Sequence, residues 1–395
     1  MMTTRPELTG SFGMVASTHW LASSAGMSVL ERGGNAFDAA CAAGFVLQIV
    51  EPHLNGPGGD MPAILWSAAD RGAHVICGQG VAPAMATGEH FSSLGLELVP
   101  GTGLLAATVP GAFGAWTLML ERWGSWELAD VLAYALHYAE TGFPILPSIA
   151  ATIASVRELF TEHWAPSATA WLPGGQVPAV GCMWRSPAVA RTYRRVLASA
   201  AGTTRERRIA AARDSWYQGF VAEEIGAFAA TAWQDTSGRP HRGVLTAQDL
   251  ADWQPTVEPP VRVRYAGRYE ILKTDMWGQG PVLLQQLMLL ESLDIRAEQV
   301  RSQQWVHLIV EAAKLAFADR EAWYGDPAVP TVPTVPTVPT SALLDPDYAA
   351  SRAALIGPTA STELHPGSPS GIPPRLAAIA RHGRPPAGAG EPTLN

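Results

Sequence analysis

The segment 35–50 constrains the fold of this 395-residue chain most strongly. Asn35 is a good helix cap with Asp38 in the first turn, so a helix is predicted from this point. Its apolar residues occupy nearly every face: Phe37, Ala40, Cys41, Gly44, Phe45, Leu47 and Val50. A helix that is apolar all round belongs between packed layers. We therefore expect a layered fold with a large core, in keeping with 47% hydrophobic and only 16% charged residues.

The composition argues against several partners. The chain has 27 Lys and Arg against 35 Asp and Glu, a net charge of −8, without a run of five or six like charges. It therefore lacks the basic footprint for nucleic acid or an anionic membrane. The cysteines Cys41, Cys77 and Cys182 are odd in number, widely spaced and free of Cys-x-x-Cys. We expect neither a disulfide framework nor a metal site, and no cofactor.

The start of the chain carries no targeting pattern. Residues 1–10 contain Arg5, Pro6 and Glu7 and no apolar stretch typical of a secretory signal peptide, which predicts a cytoplasmic protein. The longest weakly polar run, 39–50, is shorter than the roughly 20 residues of a membrane helix. We interpret it as a buried helix and expect no membrane partner.

Local patterns predict the remaining elements. A helix capped by Ser17 or Thr18 should stop at Gly33-Gly34. Further helices are predicted over 111–122, 127–139, 281–291 and 306–324, and hairpins over 63–77 and 261–272. The basic residues Arg205, Arg207, Arg208 and Arg213 are interpreted as a solvated helix face. Residues 329–340, four Val-Pro-Thr repeats, predict an extended loop, and the Pro- and Gly-rich segment 365–395 a flexible linker.

Motif by motif, the residues alone offer no complete catalytic constellation. The glycines of 56–59 and 278–280 lack the spacing of nucleotide-binding loops, so we interpret them as points of close backbone approach. A Gly-x-Ser-x-Gly elbow is missing from the sequence. His53, His74 and His307 are isolated and are predicted to be satisfied buried histidines rather than ligands.

Several stretches resemble the γ-glutamyltranspeptidase family. They are 13–23, Leu30-Glu31-Arg32-Gly33-Gly34-Asn35-Ala36-Phe37-Asp38-Ala39-Ala40, Val50-Glu51-Pro52-His53, Val109-Pro110-Gly111, 311–320 and Tyr324-Gly325-Asp326-Pro327. The resemblance covers roughly residues 12–395. It identifies 1–395 as a single large-chain domain, with 365–395 as the linker before a cleavage point.

This resemblance implies a fold and a mechanism. Family members are N-terminal-nucleophile hydrolases with an α/β (α+β) fold, in which one precursor cuts itself before a threonine and the two chains share a four-layer αββα core. The hydroxyl of the new N-terminal Thr attacks an amide carbonyl, with its own α-amine as base. The acyl group then passes to water or an amine. That Thr is expected downstream of Asn395, so no catalytic residue is expected in this chain, which alone should be inactive.

One departure from the family pattern concerns the substrate. γ-Glutamyl enzymes carry Arg-Glu-x-Ala-Pro, whose arginine grips the α-carboxylate of the glutamyl group. The matching segment here is Gln79-Gly80-Val81-Ala82-Pro83, which places Gln79 at the substrate-binding position without a charge. Arg71 is near in sequence, but the strand-like stretch between them disfavours it as a replacement.

Three interpretations stay open. The first is the large chain of a self-processing hydrolase or acyltransferase acting on γ-glutamyl or related acyl amides, with the smaller chain of the same precursor as its partner. The second is an enzyme similar to the cephalosporin and glutaryl acylases of the family, favoured by Gln79. The third is a truncated, non-catalytic member.

Overall fold

The computed structural model describes residues 7–293, 295, 300–325, 340–374 and 376. These residues divide into two compact units. Unit 1 holds the described residues 7–61 and 78–256, and unit 2 holds 62–77 and those from 257 onward. The Val-Pro-Thr repeats lie outside the described residues except for Thr340, so the extended loop stays a prediction, as does the single domain.

The helices and strands are labelled in chain order. They are α1 (Trp20–Glu31), α2 (Ala36–Val50), β1 (Ala63–Ser67), β2 (Gly72–Cys77), α3 (Gly88–Ser93), α4 (Ala112–Trp123), α5 (Leu128–Thr141), β3 (Phe143–Pro144), α6 (Pro147–Ser155), α7 (Arg157–Glu162), α8 (Ala165–Trp171), β4 (Met183–Trp184), α9 (Pro187–Ala198), α10 (Arg205–Tyr217), α11 (Phe220–Ala229), β5 (Ala232–Gln234), β6 (Pro240–Arg242), α12 (Ala247–Ala251), β7 (Thr256–Glu258), β8 (Val261–Tyr265), β9 (Tyr269–Lys273), α13 (Gly280–Glu291), α14 (Gln303–Trp323), α15 (Thr340–Leu343) and α16 (Pro346–Ala353).

Helix α2 forms the centre of unit 1, as its all-round apolar pattern predicts. Asn35 and Asp38 form a reciprocal capping box at its start, and most of its residues are buried. The ring of Phe45 contacts those of Phe113 and Tyr193. The buried amide of Gln48 accepts a 2.6 Å hydrogen bond from the Tyr193 hydroxyl, so a polar side chain is accommodated in this core without an unpaired oxygen.

Helix α1 begins later than the sequence suggested. The expected caps were Ser17 or Thr18, but the N-cap is His19, whose Nδ1 accepts the Leu21 N–H at 3.1 Å. Thr18 instead donates its hydroxyl to the Glu51 carboxylate. The predicted end is confirmed, because the chain leaves the helix at Gly33 with φ of 89°.

The prediction of a solvated basic face on α10 is wrong for three of its arginines. Arg205 donates to the carbonyl oxygens of Leu120, Glu121 and Trp126 at 2.8–3.2 Å, while Arg213 pairs with Glu121 and Arg208 with Glu127. The last carbonyls of a helix have no partner within it and attract cations. The arginines therefore hold the C-terminal end of α4 and the start of α5, and Arg207 stays exposed.

Unit 2 contains the predicted hairpins. Strands β1 and β2 pair antiparallel, and with β7 they form a sheet of order β1-β2-β7. Strands β8 and β9 form the second hairpin, turning at Ala266 and Gly267 with positive φ at both. The long helices α13 and α14 pack together around Leu289, Ala312 and Leu315. Within the described residues, none of the helices is both long and apolar enough to cross a membrane.

Candidate substrate-binding loop

The segment 78–83 carries Gln79, the predicted substrate-binding residue, and follows directly after β2. Its backbone is held on both sides of Gln79. The carbonyl of Gly78 accepts the Met61 N–H at 3.2 Å, and the carbonyl of Val81 accepts the Val109 N–H at 3.0 Å. The segment therefore lies between two other stretches of unit 1 that no pattern in the sequence connects with it.

The two glycines around this position permit the close packing. A Cβ at Gly80 would lie 1.5 Å from the carbonyl oxygen of Val109, and a Cβ at Gly111 would lie 2.0 Å from that of Gly78. Both distances are far below contact, so a side chain at either site forces the backbones apart. The crossing of 78–81 with 109–111 fixes where the backbone of Gln79 lies.

Gln79 itself is exposed. Its carboxamide makes no hydrogen bond with any residue in the described part of the chain. The position thus presents a neutral donor and acceptor from a backbone fixed by its neighbours. Such a group can hydrogen-bond a polar acyl chain, but it supplies no charge for a carboxylate. Its assignment to substrate binding stays a prediction.

Tyr217, which no motif in the sequence singles out, supports the crossing from α10. Its hydroxyl donates to the Pro110 carbonyl at 2.7 Å and accepts the Gly114 N–H at 2.9 Å. The first N–H groups of a helix have no partner inside it, so Tyr217 satisfies one at the start of α4. Burial raises the pKa of Tyr217 well above its ordinary value, which keeps the hydroxyl protonated.

Asp249 holds the far end of the same loop. Its carboxylate accepts the Ala84 N–H at 2.8 Å and, as the third residue of α12, also the Thr246 N–H at 2.8 Å. Burial alone would raise the pKa of Asp249, yet these hydrogen bonds outweigh it and lower the pKa below its ordinary value. The ionised form therefore both caps α12 and anchors the loop.

The glycine turn at 56–59 adjoins α4. The Gly59 carbonyl accepts the Ala112 N–H at 2.9 Å. The expectation of close approach is wrong at Gly58, where no atom of the described residues lies within 4 Å of the place a Cβ would occupy. It is confirmed at Gly278 and Gly280, whose Cβ atoms would lie 2.4 Å and 1.9 Å from atoms of Thr274.

His53 lies next to this turn and departs from its prediction. It is 8% exposed, and among the described residues neither its Nδ1 nor the Nε2 of buried His19 has a hydrogen-bond partner. Neither imidazole is therefore fully satisfied. Burial lowers the pKa of both, partly offset by the nearby Glu51 carboxylate. By contrast, His74 contacts Asp70 and His307 contacts the Gly357 carbonyl, but both are only half-buried, so the prediction of burial is wrong for them.

The described residues hold no cluster of three His, Cys, Asp or Glu side chains placed to bind a metal ion. The segment around Gln79 is the candidate binding surface. It consists of a fixed loop, a neutral side chain at Gln79 and a buried shell of hydrogen bonds behind them.

Comparison with known proteins agrees with the resemblance seen in the sequence. The γ-glutamyltranspeptidase profile matches residues 22–382. A glutathione hydrolase proenzyme of Bacillus subtilis is 30% identical, with 88% of this chain and 55% of that protein covered. The structure of LmbA2991HD is 51% identical with a TM-score of 0.90, covering 98% of this chain and 66% of that one. The cephalosporin acylase of Bacillus halodurans is 32% identical with a TM-score of 0.78, covering 93% and 64%.

These similarities fix the architecture. The solved γ-glutamyltranspeptidase and acylase structures share the αββα N-terminal-nucleophile hydrolase fold, and this chain supplies the large-chain part of it. The chain spans little more than half the length of the curated relatives it matches, several of which are proenzymes. On the profile match and the structural similarity together, the chain belongs to the γ-glutamyltranspeptidase family.

Proposed function

We propose that this chain is the large chain of a self-processing amidohydrolase or acyltransferase that cleaves γ-glutamyl or related acyl amides. The nucleophile would be an N-terminal Thr lying beyond Asn395, on the smaller chain of the same precursor. Its hydroxyl adds to the amide carbonyl, the amine leaves with the proton taken by the α-amine, and water or an amine then accepts the acyl group. Proenzyme relatives that are longer than this chain support the proposal.

The observation that carries the proposal is the locked loop of Gln79. From the family resemblance we infer that the substrate's acyl end binds here, and Gly80 and Gly111 fix the backbone at this point. A rigid backbone positions a side chain better than a mobile one. The exposed carboxamide is then available to the acyl group of a substrate held by both chains.

A second candidate, an acylase for amides whose acyl end lacks the α-amino acid group, is favoured by the same residue. A desolvated charge pair that loses one partner costs about 2–5 kcal/mol, so Gln79 removes much of the preference for a glutamyl α-carboxylate. Similarity to the cephalosporin acylase of Bacillus halodurans supports this branch.

The experiment begins with intact-mass analysis of the protein expressed from its native reading frame. Two masses that sum to the precursor, the smaller beginning with Thr, are expected. A single unprocessed mass would contradict the proposal and favour a non-catalytic member of the family.

Substrate preference is then tested on the processed enzyme with γ-glutamyl and glutaryl p-nitroanilides. Gln79→Arg should raise kcat/KM for the γ-glutamyl amide at least about tenfold, equivalent to about 1.4 kcal/mol, and leave the glutaryl amide unimproved. Gln176→Arg, at another exposed glutamine, is the matched control. Equal effects of the two substitutions would refute the assignment of Gln79.

A further inference from the structure

The residue opposite Gln79 is Asp60, which no motif in the sequence singles out. Strands β1 and β2 pair in an antiparallel register, and counting back along it brings Met61 opposite Gly78 and Asp60 opposite Gln79. The Met61 N–H donates to the Gly78 carbonyl at 3.2 Å, so the register continues beyond the two strands. Directly opposite residues of an antiparallel pair share one face, with Cβ atoms about 4.5–5.5 Å apart.

The backbone around Asp60 is fixed. The carbonyl of the preceding residue, Gly59, accepts the Ala112 N–H at 2.9 Å. On the other side, a Cβ at Gly78 would lie 2.5 Å from the Met61 carbonyl oxygen, so only glycine lets the two stretches pair this closely. Asp60 is therefore held by the same crossing that positions the candidate substrate-binding loop.

The Asp60 carboxylate gives this crossing its charge. The side chain is exposed, and it makes no hydrogen bond or ion pair with any residue in the described part of the chain. The sequence of 59–61, 78–83 and 109–112 contains no other charged side chain. Since Gln79 is neutral, the two opposite residues present one negative charge together with the donor and acceptor of a carboxamide.

A substrate carboxylate finds little compensation at this place. Helix N-termini bind anions through free N–H groups, and α4 begins inside the crossing, at Ala112. However, the Ala112 N–H is bound by Gly59 and the Gly114 N–H by Tyr217. An acyl end with a carboxylate therefore meets a like charge at Asp60 without these two donors, whereas a protonated amine meets an opposite charge.

We propose that Asp60 is a specificity-determining residue and that the processed enzyme prefers acyl groups ending in a protonated amine over those ending in a carboxylate. This inference rests on the proposed function, in which the acyl end binds at Gln79, and it narrows the acyl groups considered there. In the complex, the Asp60 carboxylate accepts hydrogen bonds from the ammonium group, and the Gln79 carboxamide oxygen accepts another.

The test compares three p-nitroanilides of equal acyl-chain length on the processed enzyme. Wild-type kcat/KM should fall in the order 5-aminopentanoyl, pentanoyl, glutaryl. Asp60→Asn removes the charge and Asp60→Lys reverses it, and the fold should tolerate both because the side chain is exposed. The matched control is Asp130→Asn, at an exposed aspartate in the first turn of α5.

An exposed ion pair is worth up to about fivefold in binding, and a like-charge contact opposes binding. Asp60→Asn should therefore lower the ratio of kcat/KM for the 5-aminopentanoyl over the glutaryl amide by about tenfold, and Asp60→Lys should favour the glutaryl amide. Salt at about 0.5 M should reduce the wild-type ratio, since it screens exposed charges. An unchanged ratio in Asp60→Asn, an equal change in Asp130→Asn, or a wild-type preference for the glutaryl amide would overturn the proposal.

A binding measurement separates this inference from the proposed function. The protein expressed from its native reading frame is titrated with 5-aminopentanamide and with glutaramate by calorimetry, which requires neither self-processing nor catalysis. Tighter binding of 5-aminopentanamide that Asp60→Asn abolishes supports the role of Asp60, and without p-nitroanilide hydrolysis it would refute the proposed function alone. Equal binding of the two ligands by active, processed enzyme would overturn the role of Asp60 and leave the proposed function standing.

Discussion

Replacing Tyr217 by Phe removes a single oxygen from the support of the candidate substrate-binding loop. That oxygen donates to the Pro110 carbonyl and accepts the Gly114 N–H, and the side chain is 4% exposed. Phe retains the ring and its contact with Trp253, whose centroid lies 5.3 Å away. The substitution therefore isolates the two hydrogen bonds from the packing.

The magnitude follows from burial. A buried polar group left without a partner costs about 1–3 kcal/mol, and Tyr217→Phe leaves two. Allowing for relaxation, we expect a loss of about 2–4 kcal/mol. With an unfolding entropy of about 2.1 cal/mol/K per residue, the thermal midpoint of a chain this long falls by about 2–5 °C.

The matched control is Tyr134→Phe. The Tyr134 hydroxyl also takes part in two hydrogen bonds, to Ser28 and Arg32 at 3.0 Å each, but the first is only partly buried and the second is exposed. Water can replace them there, so the loss should stay below about 1 kcal/mol.

The assay combines calorimetry with hydrogen exchange at the Gly114 amide. In Tyr217→Phe this amide should exchange faster, and processed enzyme should lose activity because the 109–111 turn supports Gln79. A midpoint change equal to that of Tyr134→Phe, with Gly114 protected as in the wild type, would refute the reasoning.

Three further outcomes are expected. Gly80→Ala should abolish soluble expression or lower the thermal midpoint strongly, because its Cβ would lie 1.5 Å from the Val109 carbonyl oxygen. Gly58→Ala, the control, should be tolerated. Equal yields of the two variants would contradict the close packing at Gly80. Because the pKa of Asp249 is lowered in the fold, its carboxylate stabilises the protein fully above the unfolded pKa of about 4. This stabilisation is lost as pH falls through the lower folded pKa. Asp249→Asn should therefore flatten the acid side of a plot of unfolding free energy against pH. The lowered pKa of His53 acts in the same direction: its stabilisation is complete above about pH 6.5 and is lost as pH falls below it. His53→Gln should therefore reduce the slope of the unfolding free energy against pH between about pH 5 and 7. An unchanged slope would count against a buried neutral imidazole.

Much of the fold was predictable because its signals are local. The cap of α2, its apolar faces and both long hairpins depend on residues a few positions apart, and the structure confirms them. Prediction failed where a residue distant in sequence bound the side chain that was expected to cap a helix. Thr18 was a reasonable cap by type, but its hydroxyl binds Glu51, and His19 caps α1 instead.

The candidate site likewise combines a residue that the local sequence identifies with residues that only the fold brings to it. The family motifs singled out Gln79, because the sequence alone shows that the family's arginine is absent at this position. They did not identify Tyr217 or Asp249, which lie more than a hundred residues away and have no motif of their own. Their roles follow only from the backbone groups that they satisfy.

The sequence by itself indicated the family, the helices and hairpins that have local signals, and the neutral residue at the predicted substrate position. The tertiary structure alone decided which helix end Arg205 caps, which glycines are crowded and which segments fix the backbone around Asp60 and Gln79. The physical reason is that helix caps and periodicity are encoded by neighbours in the chain. Hydrogen bonds to backbone and the space around a Cβ depend on segments that only packing brings together.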